Sequence, residues 1–268
     1  VPVALHVDGI EKRRAKWGAL GRSVYAVSER LATVLPRRLV TDARVIEEHY
    51  LERYGAASTA IAYGVDPEPL QLPIALRGKL GIEPGEYFLY VSRFEPENNP
   101  HRVAEAYRAV DGDQPLIMLG DAPYASDFIR AFTEGADRRV LFPGAIYGDG
   151  YRQLLSNALA YVQATEVGGT HPALVEAMGY GNVILANGTP ENREAAGDAA
   201  LYFDVRHPAS LAEQMNWVLA HRGELDTLRQ ASAERAAERF NWGTISEQYR
   251  RLFEEMAGRR GRLQSGEC

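Results

Sequence analysis

The chain has 268 residues, 46% of them hydrophobic and 25% charged, which is the composition of an ordinary soluble globular protein. Its net charge of −6 argues against a nucleic-acid partner, because the phosphate backbone rewards basic surfaces. No apolar run approaches the ~18 residues of a membrane-spanning helix, and no signal-peptide pattern is present. We therefore expect a cytoplasmic protein with at most peripheral contact with the inner face of a membrane.

Charge and cysteine usage add two points. Residues 1–41 contain eight Lys or Arg and three Asp or Glu, which gives +5 there and −11 in the remainder. The single cysteine, Cys268, excludes an internal disulfide and fits a reducing compartment.

The first quarter of the chain predicts a short α/β segment. Apolar side chains recur every three or four residues from Trp17 to Val34, the spacing of an amphipathic helix. The predicted strands are 1–7, 38–41 and 59–63, and the predicted helices are 14–35 and 42–54. Residues 64–73 are rich in Gly and Pro without periodicity, which predicts an interdomain connector.

Beyond the connector, strands and helices alternate. The predicted strands are 87–91, 115–119, 139–142, 160–164, 182–186 and 199–203, and the predicted helices are 100–110, 125–134, 149–158, 172–179 and 208–221. This alternation predicts a parallel, doubly wound α/β sheet whose ligand lies beyond the carboxyl ends of its strands. Two further helices are predicted at 223–239 and 242–257.

The stretch 161–186 predicts a strand, a Gly-rich turn, a helix and a second strand in succession. Pro172 is a favoured first residue of a helix, and Thr170 or His171 can cap that helix. Free backbone N–H groups at such a helix start attract an anion, typically a phosphate.

Two further features of this stretch concern a ligand. Gly168 and Gly169 let a ligand approach the backbone closely. Glu176 lies one turn into the helix, where its carboxylate can accept hydrogen bonds from two sugar hydroxyls, as the acidic residue of a dinucleotide fold does. The alternative reading is a βαβ unit with a surface Glu.

The sequence EVGGTHPALVEAMGYG at 166–181 resembles the donor motif of GT-B glycosyltransferases of the family 4 type. The segments IAYGVD (61–66), YVSRFEPENNP (90–100) and ERFNWGTISEQYRRLFEEM (238–256) agree with it and occur in the family's order. The resemblance implies an α/β fold of GT-B type, with one complete doubly wound, Rossmann-like nucleotide-sugar domain plus part of a second. The implied parts are a partial acceptor-side domain at 1–65, the donor-binding domain at 68–240, and a C-terminal crossing helix and tail at 241–268.

Arg93 directly follows a predicted strand, where a guanidinium can grip diphosphate oxygens bidentately and stabilise the leaving group. The alternative to this ligand-binding role is a structural ion pair of Arg93 with Glu95 or Glu97. The resemblance assigns catalytic roles to Arg93 and Glu166. It also implies a set of donor-binding residues: Arg93, Asn98, Gly120, Ile146, Gly168, Gly169, Thr170, His171 and Glu176.

The chain departs from the family pattern at two positions. The family commonly has a Lys five residues after the Arg, and here that residue is Asn98, so either phosphate affinity is lower or another cation substitutes. The family also has two Glu residues eight apart, whereas counting back from Glu176 reaches Gly168, and the nearest acid is Glu166. We rely on Glu176 more than on Glu166.

Residues near the first strand are expected on the acceptor side of the cleft, by fold position: His6, Arg13 and Arg14. With Lys12, Lys16, Arg22 and Trp17 nearby, this basic cluster is expected to hold a lipid-linked or anionic acceptor near a membrane surface. The alternatives are a solvated helix face and a satisfied strand-end His6.

No metal site and no cofactor are expected. The triplet Asp111-Gly112-Asp113 mimics a metal-binding DxD motif, but it precedes a strand and therefore lies at the wrong end of the sheet. No other cluster has metal-ligand spacing, and GT-B chemistry needs no divalent ion.

These observations predict a glycosyltransferase of hexosyltransferase type that moves a sugar from a nucleoside-diphosphate sugar to a hydroxyl of a saccharide or lipid-linked acceptor. Retention, and a role in cell-surface polysaccharide or glycoconjugate synthesis, are implied by resemblance to rhamnosyltransferase-type members. The alternatives are a truncated nucleotide-sugar-binding module without turnover and a GT-B-fold nucleotide-sugar epimerase.

The same resemblance implies that the start of the acceptor-side domain is missing, which would impair the enzyme. The apolar edge left at residues 1–60 then predicts self-association or a complementing chain.

Overall fold

The computed structural model describes residues 2–14 and 17–258. The predictions for Val1 in the first strand, Lys16 in the basic cluster, Cys268 and the tail beyond 258 lie outside these residues.

The described residues form two parallel sheets. One sheet has the order β1-β2-β3, and the other has the order β6-β5-β4-β7-β8-β9. The strands are β1 (Ala4–Val7), β2 (Arg38–Thr41), β3 (Thr59–Ala60), β4 (Phe88–Val91), β5 (Leu116–Leu119), β6 (Val140–Gly144), β7 (Ala160–Gln163), β8 (Val183–Asn187) and β9 (Ala200–Phe203). The predicted parallel α/β architecture is confirmed.

Helices connect the strands of both sheets and pack against them. They are α1 (Ala19–Ala32), α2 (Arg44–Tyr54), α3 (Ile74–Leu80), α4 (Pro100–Ala106), α5 (Ser126–Thr133), α6 (Asp149–Ser156), α7 (Pro172–Gly179), α8 (Pro190–Ala196), α9 (Pro208–Ala220), α10 (Leu225–Arg239) and α11 (Trp242–Met256). Strand order reverses between β4 and β7, and a doubly wound sheet binds its ligand in the crevice at such a switch point.

The strands of the six-stranded sheet are buried on both faces. Phe88 and Tyr90 belong to the core on one face, while Tyr87 and Leu89 belong to the core on the other. Burial of each such side chain contributes about 1.5–3 kcal/mol. The buried hydroxyls are satisfied: Tyr87 donates to the carbonyl of Leu154 at 2.6 Å, and Tyr90 donates to that of Asn98 at 2.8 Å.

Several predicted boundaries were wrong. The helix predicted at 14–35 is shorter and corresponds to α1, which a separate 3-10 turn at Glu11–Arg13 precedes, and the strand predicted at 59–63 has only two residues. Two helices were not predicted. The sequence of α3 contains Gly78, and α8 (PENREAA) has no apolar periodicity, its start being marked by a Thr189 hydroxyl that accepts from the N–H of Asn192.

The apolar face of α1 lies at the surface of the described structure. Its side chains are exposed, from 44% at Leu31 to 81% at Leu20, with Val24 and Val27 between them. The adjacent β1 is an edge strand. Such a contiguous apolar surface marks an interaction site more often than a solvated face. Self-association or a complementing chain through residues 1–60 stays a prediction.

The chain passes between the two sheets at two neighbouring places. Val65 donates its N–H to the carbonyl of Phe240 at 2.6 Å and pairs with Asn241 in an isolated parallel bridge. The helix α11 then returns to the smaller sheet, where Ile245 and Leu252 join the core around Val40. Among the described residues, no helix is long and apolar enough to cross a membrane.

Candidate active site at the carboxyl edge of the six-stranded sheet

A cleft of about 230 Å³ lies at the carboxyl edge of β4, β5 and β6, beside the start of α7. The residues that matter most among its lining are Arg93, Gly120, Asp121, Ile146, Tyr147 and Ala173. Parallel strands all end at the same edge of a sheet, so the loops after β4, β5 and β6 meet here with the start of α7. Arg93, Gly120 and Ile146, predicted from sequence as donor-binding, are brought together.

The guanidinium of Arg93 remains largely available to a ligand. Its side chain is 60% exposed, and its Nη2 is 3.7 Å from Oε2 of Glu95, a distance too long for a strong hydrogen-bonded pair. Asn98, by contrast, is buried and donates its Nδ2 to the carbonyl of Arg93 at 2.8 Å. Asn98 thus holds the backbone of the Arg93 loop and does not line the cleft.

Gly120 is required by close contact between two loops. A Cβ at this position would overlap the carbonyl oxygen of Ser92 and lie 2.7 Å from the ring of Phe94. Glycine therefore lets the loop after β5 lie directly against the loop after β4, which sets the floor of the cleft.

Glu176 lies on α7, one helical turn after Ala173, which lines the cleft; Glu176 itself is not among the lining residues. Its Oε2 accepts a hydrogen bond from the hydroxyl of Tyr151 at 2.5 Å. Burial is the main cause of the raised pKa of Tyr151, so the phenol stays protonated as a donor. This contact orients Glu176, and sequence reasoning missed it, because nothing local marks Tyr151 as a partner of a residue on another helix.

The side chain of His171 packs against the turn before α7. The His171 Nε2 lies 2.8 Å from Oγ1 of Thr165, and a Cβ on Gly168 would lie 2.5 Å from the His171 ring. Burial, followed by the charge of Arg14, lowers the pKa of His171 to about 4, so the ring is neutral near pH 7. The predicted capping role was wrong for both candidates, since neither Thr170 nor His171 makes a side-chain cap.

The same turn contacts the smaller sheet. The N–H of Gly169 donates to the carbonyl of Asp8 at 3.1 Å, and the hydroxyl of Thr170 donates to the carbonyl of Asp42 at 2.7 Å. The N–H of Gly169, a residue predicted to bind the donor, is therefore already bonded within the protein. The turn joins the two sheets as well as bordering the cleft.

Asp42 is a buried carboxyl at this contact. Burial raises its pKa to about 7, the charges of Asp8 and Glu194 add to the shift, and nearby amides of Asp42 and Thr170 oppose it. Because the folded-state pKa is raised, the stabilising contribution of Asp42 is present at low pH and is lost as pH rises toward 7.

Glu166 lies in a different cavity. It is exposed, and its Oε2 accepts from Nδ2 of Asn99 at 3.1 Å. The cavity that it lines has a volume of about 530 Å³ and includes Arg193 and Arg206, beyond β8 and β9. The structure therefore does not bring Glu166 to the cleft of Arg93, and its catalytic role stays a prediction.

The predicted acceptor-side residues have separate environments. Arg14 is buried, with Nε 2.6 Å from Glu11 and Nη1 3.6 Å from Glu97. Arg13 is exposed. Nδ1 of His6 lies 3.1 Å from the hydroxyl of Tyr249, and burial lowers the pKa of His6.

No group of three or more His, Cys, Asp or Glu within 2–14 and 17–258 is arranged to hold a metal ion. Asp111 and Asp113 lie in the loop that enters β5, at the amino end of the sheet, as their position in the sequence predicted.

Solved structures with the same fold identify its class. HepE from Anabaena, in complex with UDP and glucose, superposes with a TM-score of 0.84 at 18% identity over 95% of this chain and 72% of HepE. Sucrose-phosphate synthase from Thermosynechococcus elongatus superposes with a TM-score of 0.80 at 19% identity over 96% of this chain and 68% of its own. A glycosyltransferase from Rickettsia africae superposes at 0.74 and 13% identity over 96% and 77%. The fold is that of the GT-B glycosyltransferases.

The family is shown by its sequence model. The model described as glycosyl transferases group 1 matches residues 74–239, which is more than half of the chain. The chain therefore belongs to this family of glycosyltransferases. A search of curated proteins found no matching relative.

Proposed function

We propose that this protein transfers a sugar from a nucleoside-diphosphate sugar to a hydroxyl of a saccharide or lipid-linked acceptor. The observation that carries the proposal is the cleft at the switch point of the sheet, where the exposed guanidinium of Arg93 lies beside the start of α7, the helix that carries the oriented carboxylate of Glu176. The cation suits a diphosphate, and the carboxylate suits vicinal hydroxyls of a sugar.

Each part of the site has a distinct task in this mechanism. Arg93 neutralises charge on the diphosphate as the glycosidic bond breaks, which lowers the barrier only if the donor is held in line. Tyr151 fixes the carboxylate of Glu176 before the donor arrives, so less side-chain entropy is lost on binding. Retention of configuration, a hexose as the sugar and a role in cell-surface polysaccharide or glycoconjugate synthesis belong to the proposal through the family resemblance.

Nucleotide binding tests the proposal directly. Calorimetric titration of the chain with UDP, GDP and dTDP should show saturable binding of one of them, weakened by Arg93→Ala. Absence of binding to all three at millimolar concentration would reject the proposal. Incubation with the matching nucleotide sugar in the absence of acceptor distinguishes the transferase from an epimerase, because only an epimerase forms its product without an acceptor.

Glu176→Gln should weaken nucleotide-sugar binding without unfolding the protein. The substitution keeps the shape but loses charge-assisted hydrogen bonds worth about 1.5–3 kcal/mol, which is on the order of a tenfold to hundredfold rise in Kd. Calorimetry measures the change, and Glu105→Gln on the exposed face of α4 is the control. Equal affinities of Glu176→Gln and the parent would remove Glu176 from the site.

Treatment with EDTA should leave any transfer activity unchanged. The proposed charge stabilisation comes from Arg93 and requires no divalent ion. A radiolabelled transfer assay with and without chelator gives the answer. Complete loss of transfer on chelation, restored by manganese, would contradict the proposed chemistry.

A further inference from the structure

A third cavity, of small volume, lies beside the first strand of the smaller sheet. It has a volume of about 220 Å³, and its walls include Asp8 and Glu11 after β1, Tyr25 and Glu29 from α1, and Tyr50 from α2. It is smaller than the roughly 300–1,000 Å³ of a drug-sized site, so it suits one small ring.

The cavity opens next to the donor-side turn. Asp8 lines the cavity, and its backbone carbonyl accepts a hydrogen bond from the N–H of Gly169 at 3.1 Å. Gly9 also lines the cavity, and a Cβ on it would lie 3.2 Å from Cα of Gly168. A ligand in this cavity is therefore adjacent to the turn that borders α7.

Carboxylates dominate the polar part of this cavity. Glu29 is buried and holds Lys12 Nζ at 2.7 Å and His49 Nε2 at 2.5 Å. Burial raises the pKa of Glu29, but hydrogen bonds from Lys12 and His49 outweigh burial, so Glu29 stays ionised. The side chain of Asp8 has no hydrogen bond or ion pair among the described residues, and it is exposed to a ligand.

Two of the basic residues predicted to attract an anion are paired with carboxylates of the chain: Lys12 with Glu29, and Arg14 with Glu11, while Arg14 also faces the buried Glu97. Among the described residues, no Lys or Arg lines the cavity, whereas Asp8, Glu11 and Glu29 do. A phosphate there would meet like charges at short range, which disfavours its binding. A metal ion is also a poor occupant, since these side chains do not form a metal-holding group in the described structure.

The remaining walls suit the face of a sugar ring. The ring of Tyr25 lies against that of Trp17, with centroids 4.8 Å apart and ring planes tilted by 43°, and Tyr50 is almost fully buried. Aromatic walls give apolar contact area at low entropic cost, while carboxylates accept hydrogen bonds from hydroxyls. An uncharged polyhydroxyl ring satisfies both requirements.

We propose that this cavity between α1, α2 and the end of β1 binds the acceptor as an uncharged saccharide, with one hydroxyl held by Asp8. This inference rests on the proposed transferase function and replaces the anionic acceptor that the basic cluster suggested. Asp8 is a positioning residue in this scheme, since it orients the hydroxyl at the edge of the donor-side turn.

Saturation-transfer NMR on the full chain, with UDP present, tests the proposal. The neutral probes are the methyl α-glycosides of glucose, galactose, mannose and rhamnose, and the anionic probe is glycerol 3-phosphate. Ser28→Tyr places a large side chain in the cavity from an exposed position of α1, and Ser23→Tyr is the matched control on the same helix. We expect at least one glycoside to bind, with about tenfold or greater weakening in Ser28→Tyr and in Asp8→Asn, and none in Ser23→Tyr.

The other outcomes overturn the proposal. It fails if no glycoside binds, if glycoside binding is the same in Ser28→Tyr and Ser23→Tyr, or if only glycerol 3-phosphate binds. Calorimetry with UDP on the same samples separates the two hypotheses. If none of UDP, GDP and dTDP binds the parent chain, the transferase function is contradicted, whereas nucleotide binding without glycoside binding contradicts the acceptor assignment alone.

Discussion

Arg93→Ala should reduce the rate of sugar transfer by about 10²–10³-fold, the usual effect of removing one donor that stabilises transition-state charge. The guanidinium is the exposed cation of the cleft, and its contacts are with Glu95, 3.7 Å away, and with the hydroxyl of Tyr124. Its loss therefore leaves the leaving diphosphate with less compensating charge, while the folded core is untouched. Single-turnover kinetics with saturating donor measures the chemical step.

Two variants control this prediction. Arg130→Ala removes a guanidinium of nearly equal exposure, 63% against 60% for Arg93, from the surface of α5, and should leave the rate unchanged. Arg93→Lys keeps the charge but loses the planar fork, so it should recover part of the rate. A rate for Arg93→Ala within a factor of three of the parent would show that the diphosphate is stabilised elsewhere.

Gly169→Ala should destabilise the contact between the two sheets and lower transfer with it. A Cβ at Gly169 would overlap the buried carboxylate of Asp42, although the residue has no positive φ that would itself exclude alanine. Overpacking of this kind costs about 1–3 kcal/mol. Urea unfolding measures the loss in free energy of unfolding, and the transfer assay measures its effect on function.

The reason for the effect can be tested with a second substitution. Asp42→Ala removes the obstructing carboxylate, so the double variant should recover most of the free energy lost in Gly169→Ala. Gly78→Ala on α3 adds a methyl group with nothing within 4 Å and serves as the control. Additive effects of Gly169→Ala and Asp42→Ala would mean that the two residues do not meet as described.

The larger sheet was predictable from sequence because its signal is local. Each strand is a short apolar run, as at Phe88–Val91, and the next helix begins at a Pro, as at Pro172. These patterns depend only on neighbouring residues. The carboxyl edge, and with it Arg93, Gly120 and Ile146, then follows from the geometry of a parallel sheet.

Side-chain partners across the chain were not predictable in the same way. Asn98 occupies a position where the family has a cation, but its amide turns to the carbonyl of Arg93. Tyr151 donates a hydrogen bond to Glu176, which is 25 residues further along the chain. The carboxylate of Asp42, which belongs to the smaller sheet, packs against Gly169. Such contacts are fixed by how whole elements pack, and no local pattern records them.

The bond between Val65 and Phe240 has a consequence for motion. Because both crossings of the chain are tied together there, a rotation of one sheet against the other that keeps this bond would turn about this point. Such a rotation would break the polar contacts between the sheets. Besides those of Gly169 and Thr170, these include the pair of Arg14 Nη1 and Glu97 at 3.6 Å, and Glu194, which accepts the N–H groups of Arg44 and Val45 at 2.8 and 2.9 Å.

Each of these hydrogen bonds contributes about 0.5–1.5 kcal/mol net, so together they would oppose such a rotation. A ligand that touches both sheets adds contacts to the closed conformer alone. Its differential affinity therefore sets how far the population shifts toward closure.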